Sequence, residues 1–255
     1  MRLSACIEWQ FAEAGDSLAE RVRAASAAGL ELAEFHLWRD KEMADLAVAL
    51  AETGVALTGF CVDPRRSIVD PAQRGEFLDA VRDTLAVAKT VGSPPLIVAS
   101  GFVREGVSPE EHKAEAIEAL RMAADLAEAA EVTLVLEPLN DRVEHPGMYL
   151  VDTALALDIV EAVASPRLKL LYDVYHSQIM GEEMRAVLAG RMHLVEHIQV
   201  ADMPGRNEPG SGTIDWPAAI ATLRELGYTG DLGMEYRPAL SAGGSLAATR
   251  DALGV

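Results

Sequence analysis

A (β/α)8 barrel forming one domain over residues 1–255 is the fold class this sequence predicts, on three observations. Eight short runs rich in Val, Leu and Ile alternate from end to end with Ala- and Leu-rich stretches of helical period. Most of those runs are apolar on both faces, as expected of parallel strands covered by helices. The chain has 255 residues, 50% of them apolar, a length at which α/β barrels commonly form a single unit around a sizeable core. An open doubly wound sheet is the competing architecture, but no strand is followed by Gly-x-Gly-x-x-Gly or a phosphate-loop pattern. No linker, low-complexity tract or charge block divides the sequence.

The first strand is expected over Leu3–Glu8 and the second over Leu30–Leu37, with a helix over Asp16–Ala28 between them. A helix over Lys41–Thr53 leads to the third strand, Val55–Val62, and one over Pro71–Val91 to the fourth, Pro95–Gly101. Gly29, Gly54, Gly92 and Gly227 follow helices where a left-handed closing residue is wanted. Ser108-Pro109-Glu110-Glu111 sets a capping residue, a first-turn proline and two acids at the positive end of a helix over Pro109–Ala130. The remaining strands are Val132–Asn140, Leu168–His176, Val195–Asp202 and Asp231–Arg237, with a helix over Asp215–Leu226 before the last. The closing helix, about Ser245 to Leu253, is short for a barrel.

The formal charge is 22 basic minus 40 acidic residues, or −18. Such a surplus repels nucleic-acid phosphates and anionic membrane surfaces, so neither partner is expected. The longest apolar runs are too short to span a bilayer. Met1-Arg2-Leu3-Ser4-Ala5-Cys6-Ile7-Glu8 lacks the basic start, apolar stretch and small-residue cleavage site of a signal peptide. Cys6 and Cys61 show no Cys-x-x-Cys spacing and read as buried apolar residues. A cytoplasmic protein is the resulting expectation; the composition leaves a homo-oligomer open.

Four strands of the second half end in oxygen-rich side chains: Glu137, Asp173, Gln199 and Glu235. A polar group in an apolar strand is costly unless compensated, and the active residues of such barrels sit at the C-terminal ends of strands. One strand-end acid serves as readily to cap a helix or pair with an arginine. Four in matched positions on adjacent strands point to a shared divalent metal. Three carboxylates and an amide oxygen are hard donors that suit Mg²⁺ or Mn²⁺ better than zinc or copper.

His176, three residues past Asp173 and beyond the strand end, is either a loop histidine or a donor to a substrate hydroxyl or oxyanion. His197 points the same way as Gln199 but one layer deeper, which favours a hydrogen-bonded place in the barrel core over metal ligation. The loop from Asp202 to Gly212 is too rich in Gly and Pro to be helical and holds Arg206 and Glu208 in a restrained turn. Both are expected to bind substrate, Arg206 through two parallel hydrogen bonds to a carboxylate. Glu34 and His36 share a face of the second strand and either line the pocket or pair in the core. Trp9, Trp38 and Phe60 serve equally as packing or as pocket walls.

Leu136-Glu137-Pro138-Leu139-Asn140, Tyr172-Asp173-Val174-Tyr175-His176-Ser177-Gln178 and His197-Ile198-Gln199-Val200-Ala201-Asp202 resemble the hydroxypyruvate isomerases. So do Arg206-x-Glu208-Pro209-Gly210-x-Gly212-x-Ile214-Asp215-Trp216 and Glu235-Tyr236-Arg237-Pro238. These enzymes belong to the xylose-isomerase-like barrels, which also include ketose 3-epimerases, inosose-processing enzymes and endonuclease IV. The resemblance runs from about Leu134 to Pro238 and rests on strand and helix order before that. Gln199, where tagatose-type epimerases carry histidine, favours the hydroxypyruvate isomerase branch. The resemblance implies that Glu137, Asp173, Gln199 and Glu235 bind the metal, that Glu137 and Glu235 also form the proton-transfer pair, and that His176 and Arg206 contact substrate. Two departures bear on substrate identity and leave the metal set intact. Phe60-Cys61 stands where several relatives carry a histidine, and the stretch 141–145 is longer and more charged.

The chemistry expected of this set starts from a small α-hydroxycarbonyl compound or sugar. A metal holding its carbonyl and hydroxyl oxygens acidifies the C–H between them and stabilises the enediolate. One glutamate takes that proton, and a glutamate returns one to the neighbouring carbon or to the opposite face of the same carbon. The first course is an aldose–ketose-type isomerisation, most simply hydroxypyruvate to tartronate semialdehyde. The second is ketose 3-epimerisation, the competing activity. A nuclease and a non-catalytic sugar-binding barrel are the other classes. The charge and the six histidines count against the first, and the intact acid set against the second.

Overall fold

The computed structural model describes residues 1–255 and closes eight parallel strands into one barrel in sequence order. The strands are β1 Leu3–Cys6, β2 Leu32–Glu34, β3 Ala56–Cys61, β4 Leu96–Ala99, β5 Leu134–Glu137, β6 Leu168–Asp173, β7 Val195–Gln199 and β8 Leu232–Met234. Around them lie α1 Leu18–Ala27, α2 Met43–Thr53, α3 Arg74–Ala88, α4 Pro109–Ala130 and α5 Thr153–Val163. The ring is completed by α6 Val174–Met180, α7 Met184–Leu188, α8 Trp216–Glu225 and α9 Ala242–Leu253. No helix is long and apolar enough to cross a membrane.

The strands are shorter than their apolar runs because burial continues where the hydrogen-bond ladder stops. Leu30 and Phe35 flank β2, for instance, and both are buried in the core. Strand six is the informative case. Its expected extent to His176 is cut at Asp173, whose side chain accepts from the backbone N–H of Tyr175 at 2.7 Å and of His176 at 3.4 Å. A capping carboxylate at that point starts a helix at once, so His176 stands in the first turn of α6 rather than in a loop. The final helix begins three residues before its expected start, where the Ser241 hydroxyl accepts from the Gly244 N–H.

Two apolar regions hold the barrel. A cluster of 63 buried residues fills the space between strands and helices. A small one, Cys61, Ile97, Val135 and Leu171, is contributed by β3 to β6. Side chains alternate along a strand, so Glu137 shares a face with Val135, Asp173 with Leu171, Gln199 with His197 and Glu235 with Gly233. The other side of the barrel carries a polar layer. Ser4 and Thr58 hydroxyls meet at 2.6 Å, Thr58 donates to Glu34 at 3.2 Å, and His197 Nε2 donates to Glu34 at 2.7 Å. Gly233 makes room for it: a Cβ there would stand 2.4 Å from a Glu34 carboxylate oxygen and 2.7 Å from His197 Nε2.

Candidate active site

Glu137, Asp173 and Gln199 are the last residues of β5, β6 and β7, and Glu235 follows β8 directly. All four are buried at one end of the barrel. The Gln199 amide is held by Glu34: its NH₂ donates to Glu34 Oε1 at 2.9 Å, and its own Oε1 is buried with no hydrogen-bond partner. An orphaned buried oxygen is costly in a folded chain. Ligand atoms of Glu137, Asp173 and His176 lie within 4.8 Å of one another, and so do those of Glu144, His145 and His176. Two buried carboxylates beside an unsatisfied amide oxygen are a donor set that fits a hard divalent cation.

The charges around this point are unequal. Arg206 reaches in from the β7–α8 loop in the left-handed conformation, φ 53°, and its side chain is buried. Its Nη2 donates to Asp173 at 3.1 Å and to Glu235, its Nη1 donates to Glu144, and its Nε donates to the Glu235 carbonyl at 3.3 Å. His36 Nε2 donates to the other Glu235 oxygen at 2.8 Å. Burial alone would raise the Glu235 carboxyl, but Arg206 and His36 outweigh it and hold that group far below the usual carboxylate range. Glu137 goes the other way: burial first, then the Glu235 and Asp173 charges, push it well up. Burial also pushes Asp173 up to about 8, against the pull of Arg206.

His176 is fixed by Asn140. The Asn140 backbone N–H and side-chain NH₂ both donate to His176 Nδ1, at 3.0 and 2.7 Å. The Asn140 oxygen accepts from the N–H of Val143 and Glu144, which sets the direction of its amide. With Nδ1 accepting, a neutral ring carries its proton on Nε2. Burial and then Arg206 keep the ring neutral by driving its pKa well down. Nε2 is buried without a partner, 3.5 Å from Asp173 Oδ2 and 4.0 Å from Glu137 Oε1. It is a buried hydrogen-bond donor without an acceptor, beside two carboxylates.

A cavity of about 590 Å³ opens over these groups, within the range of small-molecule sites. Trp9, Arg65, Tyr175 and Arg237 are among its walls. The Arg206 guanidinium lies 5.5 Å from the Trp9 ring centre and 5.0 Å from that of Tyr175. Trp9 is therefore wall, whereas Phe60 stacks on Phe35 in the core and Trp38 donates to Thr84 away from the cavity. His197 and Glu34 pair in the barrel core, and His36 lines the cavity.

Two substrate expectations change. Glu208 does not line this cavity: its carboxylate accepts from the N–H of Ala239 and Leu240, at 2.9 and 3.1 Å, and ties the loop after β8 to the loop after β7. Its place in the substrate set is corrected to a structural one, because both oxygens are occupied by backbone donors. Arg206 does face the site, but its inward donors go to protein carboxylates, which removes the two-bond grip on a substrate carboxylate. Asn140, Arg65 and Glu144 join the site only through the fold. Only the dense charge of the stretch 141–145 signalled Glu144; its partner lies 62 residues away.

The sequence model of the xylose isomerase-like TIM barrel matches residues 22–253. The hydroxypyruvate isomerase of Escherichia coli strain K12 is 30% identical, over 93% of this chain and 94% of its own length. The chain belongs to the hydroxypyruvate isomerase family of xylose isomerase-like TIM barrels. The 2-oxo-tetronate isomerase of Cupriavidus necator is 29% identical over 86% of each chain. Among solved structures, an AP endonuclease, family 2, from Brucella melitensis superposes with a TM-score of 0.89 at 29% identity, covering 96% of each chain. Family membership makes the chain an isomerase, with the buried acids at the barrel mouth as its candidate machinery.

Proposed function

We propose that this isomerase interconverts hydroxypyruvate and tartronate semialdehyde by proton transfer through an enediolate, with Glu137 and Glu235 as the transferring pair. The observation that carries the reading is that both glutamates are buried at strand ends on the wall of one cavity, which His176 also lines. A divalent ion bound between them would offset their mutual repulsion and keep both ionised. One glutamate takes the proton from C3 of hydroxypyruvate, and a glutamate returns one to C2. The hydroxyl proton passes from O3 to O2, so atoms and charge balance. The buried, unpartnered His176 Nε2–H would donate to the oxygen that becomes negative on the way.

Glu137, Asp173, Gln199 and Glu235 would hold one divalent metal, Mg²⁺ or Mn²⁺ on the hardness of the donors. Such an ion supplies Lewis-acid polarisation of the substrate oxygens. The Gln199 oxygen left without a partner supports this set. The net charge of −18 counts against a nucleic-acid substrate. At about 590 Å³ the cavity takes a four-carbon acid as readily as a three-carbon one, so 2-oxo-tetronate is the second substrate to assay.

The test is proton NMR in D₂O on Mn²⁺- or Mg²⁺-loaded protein. Hydroxypyruvate should acquire deuterium at C3 and yield an aldehyde product. Exchange confined to C3 of free ketoses such as fructose and tagatose, with hydroxypyruvate inert, would make the enzyme a 3-epimerase instead.

A further inference from the structure

We propose that Arg65, in the loop after β3, grips the carboxylate of the substrate and gives the enzyme its preference for keto acids over uncharged ketoses. The inference rests on the keto-acid reading above and adds the residue that enforces it. Its starting point is the charge balance of the cavity. Three acids, Glu137, Glu144 and Glu235, line it, and the Arg206 guanidinium is taken up by two of them and by the buried Asp173. An anionic substrate entering so acidic a cleft is repelled unless a cation outside that internal pairing meets it.

Arg65 is such a cation. It lines the cavity, takes part in no ion pair, and its one side-chain hydrogen bond goes to the Cys61 sulfur at 3.8 Å. That sulfur is a weak acceptor, and burial pushes the Cys61 thiol up to about 12, so it is no counter-charge. Donors committed to a neutral thiol are readily exchanged for a carboxylate, whose two oxygens match the fork of a guanidinium.

The backbone beneath Arg65 is held from both sides. The Asp63 carboxylate accepts from the N–H of Trp38 and Arg39, at 3.1 and 2.8 Å. The Arg65 carbonyl accepts from Arg66 Nη1 at 3.0 Å, and Arg66 is itself paired with Glu76 at 2.6 Å. A fixed loop base with an uncommitted charged tip is what a grip requires. The position also suits the reaction, since Arg65, Glu137 and Glu235 line the same cavity. Arg237 is also without an acidic partner, but its guanidinium is placed over the Trp9 ring at 5.3 Å.

The test compares the wild-type metal-loaded enzyme with Arg65→Gln and Arg65→Lys on hydroxypyruvate and on dihydroxyacetone, which replaces the carboxylate by a hydroxymethyl group. Deuterium exchange into dihydroxyacetone reports the same proton transfer without the anion. Arg65→Gln should raise KM for hydroxypyruvate at least about tenfold with kcat little changed, Arg65→Lys should recover part of the loss, and dihydroxyacetone exchange should stay as in wild type. Calorimetric titration with glycerate, which keeps the carboxylate and does not isomerise, should show the same loss of affinity. An unchanged KM and glycerate affinity, or equal losses on both substrates, would overturn the assignment. A wild-type enzyme inert to hydroxypyruvate would instead refute the proposed reaction, and the glycerate titration would still decide Arg65.

Discussion

Glu34 is the strongest handle on how the site is built, because it touches neither the cavity nor its contents yet sets the direction of Gln199. It is almost fully buried, at 1% exposure, and accepts from Gln199 at 2.9 Å, His197 at 2.7 Å and Thr58 at 3.2 Å. Replacing it by alanine leaves the buried donors of Gln199 and His197 without an acceptor, while Thr58 can still donate to the Ala33 carbonyl at 3.3 Å. Hydrogen bonds to a charged group contribute about 1.5–3 kcal/mol each, and their effects within one network do not simply add. A loss of about 3–5 kcal/mol is expected, the range for breaking a buried charged pair by removing one partner. Glu34→Gln should lose less, since its single amide oxygen can still accept from Gln199. With the anchor gone the Gln199 amide is free to rotate and its oxygen is no longer held in one orientation. Affinity for Mn²⁺ should then fall by about 10–100-fold, as when an outer partner of a ligand is removed. Urea unfolding followed by circular dichroism gives the first quantity and calorimetric titration the second. A Glu34→Ala protein within about 1 kcal/mol of wild type, binding Mn²⁺ as tightly, would refute the idea that Glu34 organises the site.

Three further outcomes are expected. Glu137→Gln and Glu235→Gln should each abolish deuterium exchange into hydroxypyruvate while thermal unfolding stays cooperative; measurable turnover in either would remove it from the proton-transfer pair. In metal-free protein Asp173 is pushed up to about 8 and Glu137 is raised as well, so the folded state binds more protons than the unfolded chain between the ordinary carboxyl range and about pH 8. Tm should therefore fall as pH rises through that window, and saturating Mn²⁺, which favours the ionised forms, should flatten the slope. Gly233→Ala places a methyl 2.4 Å from Glu34 and 2.7 Å from His197; overpacking of about 1–3 kcal/mol and weakened Mn²⁺ binding should follow, and a protein as stable as wild type would show that the polar layer yields.

Some of this was legible in the chain itself. Apolar runs, helix caps and closing glycines are short-range features, and they place eight strands and most of the helices, because each is decided within a few residues; the helices Thr153–Val163, Val174–Met180 and Met184–Leu188 were not among those placed. Period-two alternation likewise fixes that Glu137, Asp173 and Gln199 project from strand ends on the same side as Val135, Leu171 and His197. The deeper place expected for His197 holds, since that expectation needed only the spacing of two.

The partners were another matter. Arg206 meets Glu144, Asp173 and Glu235 at separations of 62, 33 and 29 residues, and Glu34 meets Gln199 across 165. No local rule selects among forty acids for those contacts; barrel closure does, by bringing β2 against β7 and β8 across the interior. For the same reason the sequence assigned Glu208 and Arg206 alike to substrate, and only the folded loop sends Glu208 to the backbone of Ala239 and Leu240. The order of residues determines which side chains reach the mouth of the barrel. Long-range packing in a medium of low dielectric decides which of them spend their charge on one another, and so which remain for a ligand.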